Sequence, residues 1–117
     1  MTKKQIATAP TDFFAAHQQE ITANPDSPVA YVDKGWSHFS RHELDQAMEA
    51  FERAAALDSQ SIDAQYGLGI AARAKGDKAR ARQAFEKALA LAETSLDVAK
   101  ATMMRRMTRS ALKEIEE

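Results

Sequence analysis

GWSHFSRHELDQAMEAFERAAAL, residues 35 to 57, returns 34 places later as GIAARAKGDKARARQAFEKALAL, residues 69 to 91. In this register Gly35 falls on Gly69, Ala47 on Ala81, Phe51 on Phe85, Ala54 on Ala88 and Leu57 on Leu91. Three serines keep the same step: Ser27, Ser61 and Ser95. A unit of this length cannot bury its own apolar face and must stack on its neighbours. An array of that kind presents a surface rather than a catalytic pocket.

The punctuation between apolar positions is helical. Thr11 or Asp12 caps a first helix that carries Phe13, Phe14, His17 and Ile21 and ends before Pro25. Ser27 caps the next, with Pro28 at its first position, where a missing N–H is harmless. That helix reaches about Arg41, and His42 and Glu43 turn the chain. A second helix spans about 44 to 58, with Leu44, Ala47, Met48, Phe51, Ala54, Ala55 and Leu57 inward. Ser61 caps a third, which Gly76-Asp77 ends. Its partner covers about 78 to 92, with Ala81, Ala84, Phe85, Ala88, Leu89 and Leu91 inward. Ser95 caps a last helix, with Asp97 in its first turn. Leu96, Ala99, Met103, Met107, Ala111 and Ile115 recur on it at helical spacing. No stretch of useful length alternates with period two, so a sheet is not expected. Gly35 and Gly69, lacking a Cβ, let a neighbouring helix approach, and Phe51 and Phe85 fill the space between.

Composition narrows the function. At 117 residues the chain has room for one core. Its formal net charge is −1, so no global field draws it to nucleic acid or an anionic membrane. It has no cysteine, which excludes disulfides and cysteine-based metal sites or nucleophiles and fits a reducing, cytoplasmic setting. No apolar run is long enough to span a bilayer, and residues 1–10 read as a flexible arm rather than a secretory signal. Charge is uneven along the chain. Asp33, Glu43, Asp45, Glu49, Glu52, Asp58 and Asp63 outnumber Lys34, Arg41 and Arg53 in the first unit. In the second, Arg73, Lys75, Lys78, Arg80, Arg82 and Lys87 outnumber Asp77 and Glu86. An acidic unit thus stacks beside a basic one, which predicts pairing between units.

The chain resembles the tetratricopeptide repeat family. The resemblance rests on Tyr31, Gly35, Ala47, Phe51 and Ala54 in one copy and Leu68, Gly69, Ala81, Phe85 and Ala88 in the next. Lys34, His38, Gln65 and Ala72 depart from the family pattern, and Ser59 and Glu93 stand where a proline often closes the unit. The resemblance implies an all-α fold, a right-handed α-α superhelix of two full helix pairs with a flanking helix at each end. The expected division is a single domain over 11–117: an N-terminal helix at 11–24, repeats at 28–61 and 62–95, and a capping helix at 96–117. It also implies a non-catalytic module that binds a protein or peptide in a concave groove lined by the first helices.

One stripe inherits that role. Val32, Trp36 and Phe39 become Tyr66, Ile70 and Arg73 one period on, and Lys100, Met104 and Met107 one further. The helix from Pro28 to Arg41 is apolar on two faces, unlike a one-sided surface helix. Uncovered, its second face is a contact site. A partner helix, a second copy of the chain or its own C-terminal helix can cover it. Candidate partner-binding residues are therefore Val32, Trp36, Phe39, Tyr66, Ile70, Arg73, Met104 and Met107. The carboxylate-binding clamp of some family members needs lysine and asparagine in this stripe; Val32, Trp36 and Ile70 occupy it here without a matching basic–amide set, so an apolar or amphipathic helical ligand fits better than an acidic tail. Met103, Met104 and Met107 make the last helix an adaptable surface. Met103 replaces a small residue and should loosen its packing. Glu114, Glu116 and Glu117 oppose the helix dipole and should fray its last turn.

Other chemistry is set aside. His38 and His42 are four apart but lack a third ligand, so no metal is expected. Gly67-Leu68-Gly69 lies inside a helix, where glycine serves packing rather than a phosphate loop. Ser37 and His38 face apart, and the carboxylates are scattered, so neither enzyme activity nor a cofactor is expected. Self-association through the groove is the first alternative function. An RNA-associated role through the basic second unit ranks third, since that unit lacks interleaved aromatics.

Overall fold

The computed structural model describes residues 24–116, so the expected arm and first helix lie outside the described residues. Five helices follow: α1 Pro28–Ser40, α2 Leu44–Leu57, α3 Ile62–Lys75, α4 Lys78–Glu93 and α5 Val98–Glu116. There is no strand among the described residues. α1 pairs with α2 and α3 with α4; α2 then packs on α3 and α4 on α5. First helices also touch, α1 on α3 and α3 on α5, which makes an all-α solenoid.

Two of the three expected serine caps form, at Ser27 and Ser61. The Ala30 N–H donates to Ser27 Oγ and the Ala64 N–H to Ser61 Oγ, each at 3.1 Å. Gly76 takes φ 92°, and its N–H and that of Asp77 close on the Arg73 and Ala72 carbonyls. The first hairpin turns with His42 at φ 63°. There the Glu43 carboxylate accepts from His38 Nδ1 at 2.7 Å and Arg41 Nε at 3.2 Å. The His38 hydrogen bond holds the Glu43 carboxyl below its ordinary range, with Arg41 reinforcing it and burial working the other way.

Phe51 and Phe85 are fully buried and sit in matching seats. A Cβ on Gly35 would fall 2.6 Å from Phe51 Cε1, and one on Gly69 would fall 2.5 Å from Phe85 Cε1. Phe51 has a second glycine against it. A Cβ on Gly67, in the next hairpin, would fall 2.6 Å from Phe51 Cζ. One ring is therefore clasped by α1 and α3 together. The surrounding cluster of Ala47, Phe51, Leu68, Ala71 and Ala84 belongs to both hairpins. The charge asymmetry resolves as stacking. Lys75 pairs with Asp45 and Arg80 with Glu52, each bond joining the second hairpin to the first.

α5 corrects several expectations. Its cap is Asp97, whose carboxylate accepts from the Lys100 N–H at 3.0 Å; Ser95 serves the turn before it by accepting from the Asp97 N–H. Its buried face is Ala101, Met104, Thr108, Ala111 and Ile115. Leu96 is 98% exposed and Met103 53%, and Ala99 and Met107 are exposed too. The physical reason is the neighbour. Met103 stands 34 residues after Gly69, a position that faces the second helix of its own hairpin, and no helix follows α5 among the described residues. Only the side towards α3 and α4 has a partner, and small Ala101 fits there against Ala88 and Ala92. The last turn does not fray before Glu116: Ile115 is buried with Phe85, and Glu114 bonds Arg73 at 2.6 Å. Leu57, expected inward, is half exposed at the end of α2.

Candidate functional site

The stripe along the first helices is half-buried on a rigid floor. The Trp36 ring meets Phe51 edge-on at 5.0 Å between centroids and Phe39 at 5.8 Å. Val32, Trp36 and Phe39 all pack on the cluster around Phe51. One period on, Tyr66 lies 5.8 Å from the buried Phe85, and Ile70 packs beside it. Each exposed ring edge thus rests on a buried phenylalanine. That fixes its orientation, whereas a free surface aromatic would sample several rotamers.

Two cavities open along this stripe. One, of about 500 Å³, has Val32, Trp36 and Ile62 among its apolar walls, with Asp33, Asp63 and Lys100 among its polar ones. The other, of about 380 Å³, brings Tyr66, Ile70 and Arg73 together with Arg106, Met107 and Glu114 of α5. An ion pair joins α3 to α5 at each: Lys100–Asp63 at 2.7 Å and Arg73–Glu114 at 2.6 Å. Arg73 is therefore engaged by the chain's own last helix. α5 walls the second cavity without filling it.

Of the stripe residues picked from the sequence, Val32, Trp36, Phe39, Tyr66, Ile70 and Arg73 stand half-buried along α1 and α3. Met107 joins the wall of the second cavity. Met104 does not belong with them. It is 4% exposed and packs with Ile62, Ala88, Ala92 and Ala101. Because its long, flexible side chain fills the gap between α4 and α5, it contributes to the core and not to the surface. Sequence reasoning missed Ile62, Asp58 and Asp97 at the first cavity. Their signal was weak, since cap and turn residues at helix ends were read only as punctuation.

A somewhat larger cavity, about 540 Å³, is lined mainly by α2 and α4, with Gln65 and Leu68 of α3. Its walls include Ala55, Ala56, Ala84 and Ala90 and the paired Glu52 and Arg80. It recurs one period earlier as a cavity lined by Gln46, Glu49, Ala50 and Arg53, where the larger one has Arg80, Gln83, Ala84 and Lys87. That recurrence marks it as the furrow left by packing of the helices; Tyr31 lines the smaller copy, and the larger has no aromatic in its walls. No group of three or more metal-ligating side chains exists among the described residues. His38 is taken up by Glu43, and His42 is exposed.

A family model described as tetratricopeptide repeat matches residues 32–95, more than half of the chain. No curated protein matches it.

Proposed function

This chain belongs to the tetratricopeptide repeat family, and from that premise we propose that it is a non-catalytic adaptor that holds a peptide or helix of a partner protein in its apolar groove. Repeats of this family generally mediate protein–protein interaction. The supporting observation is the Trp36–Phe39–Tyr66–Ile70 stripe, part-exposed and braced from below by Phe51 and Phe85. Rigid aromatic anchors beside cavities are what helix-in-groove recognition uses. Val32, Arg73 and Met107 complete the contact surface. Among the described residues no helix is long and apolar enough to cross a membrane. The absence of cysteine supports a cytoplasmic setting.

The test is a photo-crosslinker placed at Ile70, with Gln83 in the α2–α4 cavity as control. Partner adducts should form from Ile70 and not from Gln83. Equal crosslinking from both positions, or adducts from Gln83 alone, refutes the groove assignment.

A further inference from the structure

The recurring furrow is filled by the chain's own side chains in the first unit and left open in the second. In the first, the Tyr31 hydroxyl donates to Asp26 at 3.4 Å. The Lys34 ammonium and the Arg53 guanidinium lie over its ring, 4.5 and 5.7 Å from the centroid. One period on, Gln65 replaces Tyr31, Leu68 replaces Lys34 and Lys87 replaces Arg53. The cavity grows from about 420 to about 540 Å³. Sites for small molecules span about 300–1,000 Å³.

Two groups in the larger cavity are unmet. Gln65 is only 9% exposed and lines the cavity, yet its side-chain amide has no hydrogen-bond partner among the described residues. A primary amide brings two N–H donors and an acceptor oxygen, and buried groups of this kind are as a rule matched. Lys87 has no ion-pair partner among the described residues, whereas Arg80 is neutralised by Glu52. The lining therefore carries one uncompensated positive charge. Leu68 and Leu91 form apolar wall between these groups and the alanines.

We propose that this cavity binds a small aliphatic carboxylate with a neighbouring amide, an N-acyl amino acid. Its carboxylate pairs with Lys87, its amide exchanges hydrogen bonds with Gln65, and its acyl chain lies along Leu68 and Leu91. A lone cation draws any anion; the amide beside it selects a ligand that both donates and accepts. The first unit cannot hold the same ligand, because Tyr31 stands in place of the amide and Arg53 is drawn onto its ring. The cavity shares no lining residue with the two along the stripe, so the inference does not rest on the groove reading.

The probe is N-hexanoyl-leucine. It is compared with its leucinamide analogue, which lacks the carboxylate, and with decanoate, which lacks the amide. Binding is read from chemical shifts of the nitrogen-labelled protein. N-hexanoyl-leucine should shift the Gln65 side-chain amide and saturate with a Kd of about 1 mM or tighter. The Trp36 indole resonance should stay in place. Loss of the carboxylate, or Lys87→Gln in the protein, should each weaken binding about fivefold, and the two together no further. Gln65→Leu removes an amide that has no partner to lose. It should weaken N-hexanoyl-leucine about fivefold and leave decanoate unchanged. No saturating shift up to about 10 mM would overturn the proposal, as would shifts at Trp36 and Ile70 in place of Gln65. Full affinity of the leucinamide would overturn it too. Tighter binding of a peptide of about eight residues ending in leucine would make the occupant a polypeptide terminus and not a small molecule, and the proposal wrong.

Discussion

Gly67→Ala sets two well-measured effects against each other. On helix propensity alone the change is favourable, by up to about 1 kcal/mol in the interior of a helix. Packing says the opposite. The new Cβ would stand 2.6 Å from Phe51 Cζ, where carbon contacts prefer about 3.5–4.0 Å. The ring cannot retreat, because it is fully buried and Gly35 on α1 leaves it equally little room on that side. Overpacking of a core costs about 1–3 kcal/mol, and a clamped aromatic belongs at the upper end. The expected net loss is about 2 kcal/mol, measured by urea unfolding at 25 °C followed by far-UV circular dichroism. Trp36 emission should shift in the native state, since its ring lies 5.0 Å from that of Phe51. Phe51→Leu frees space beside α3, so in that background Gly67→Ala should cost about 1–2 kcal/mol less than it does alone. A Gly67→Ala protein more stable than the parent would refute the clasp, because propensity would then be acting unopposed.

Thr108 is 1% exposed, and its hydroxyl has no hydrogen-bond partner. Thr108→Val should therefore stabilise the protein by about 1 kcal/mol, seen as a higher urea midpoint; a loss would mean that the hydroxyl is satisfied. Met104→Ala should cost about 2–4 kcal/mol by the same assay, while Met103→Ala stays within about 0.5 kcal/mol, which tests the facing of α5 directly. For Glu43 the folded carboxyl titrates below its unfolded value, so its contribution is present above the ordinary glutamate range, near about 4.3, and is lost as pH falls through the lower folded value. An NMR titration of the Glu43 carboxyl carbon should show that depressed midpoint, and His38→Ala should raise it.

The hairpins were legible because each depends on residues that announce themselves. Ser27 before Pro28, Ser61 before Ile62, and Gly76 with its left-handed backbone act within a few residues of chain. The seats of Phe51 and Phe85 were legible through Gly35 and Gly69, since repetition at fixed spacing exposes a shared packing need. Gly67 was only half legible. Its partner is the Phe51 of the preceding hairpin, and sliding the sequence one period sets it against Asp33, so no repetition marks it. The facing of α5 was hidden for a related reason. Two adjacent apolar stripes run along it, and only the presence of α3 and α4 on one side decides which is buried. The residues of the groove were visible as a stripe. How far Trp36 sinks onto Phe51, and that Arg73 is bonded to Glu114, depend on distant elements that local spacing does not encode.

The unequal treatment of positions 33 and 67 bears on how this architecture can be lengthened. A duplicate of the second hairpin, inserted after the original, would bring its own Gly67 up to Phe85 and find the seat already cut. A duplicate of the first would bring Asp33 there, burying a carboxylate against an aromatic face. Lengthening the array with copies of its second unit should therefore cost less than lengthening it with copies of its first.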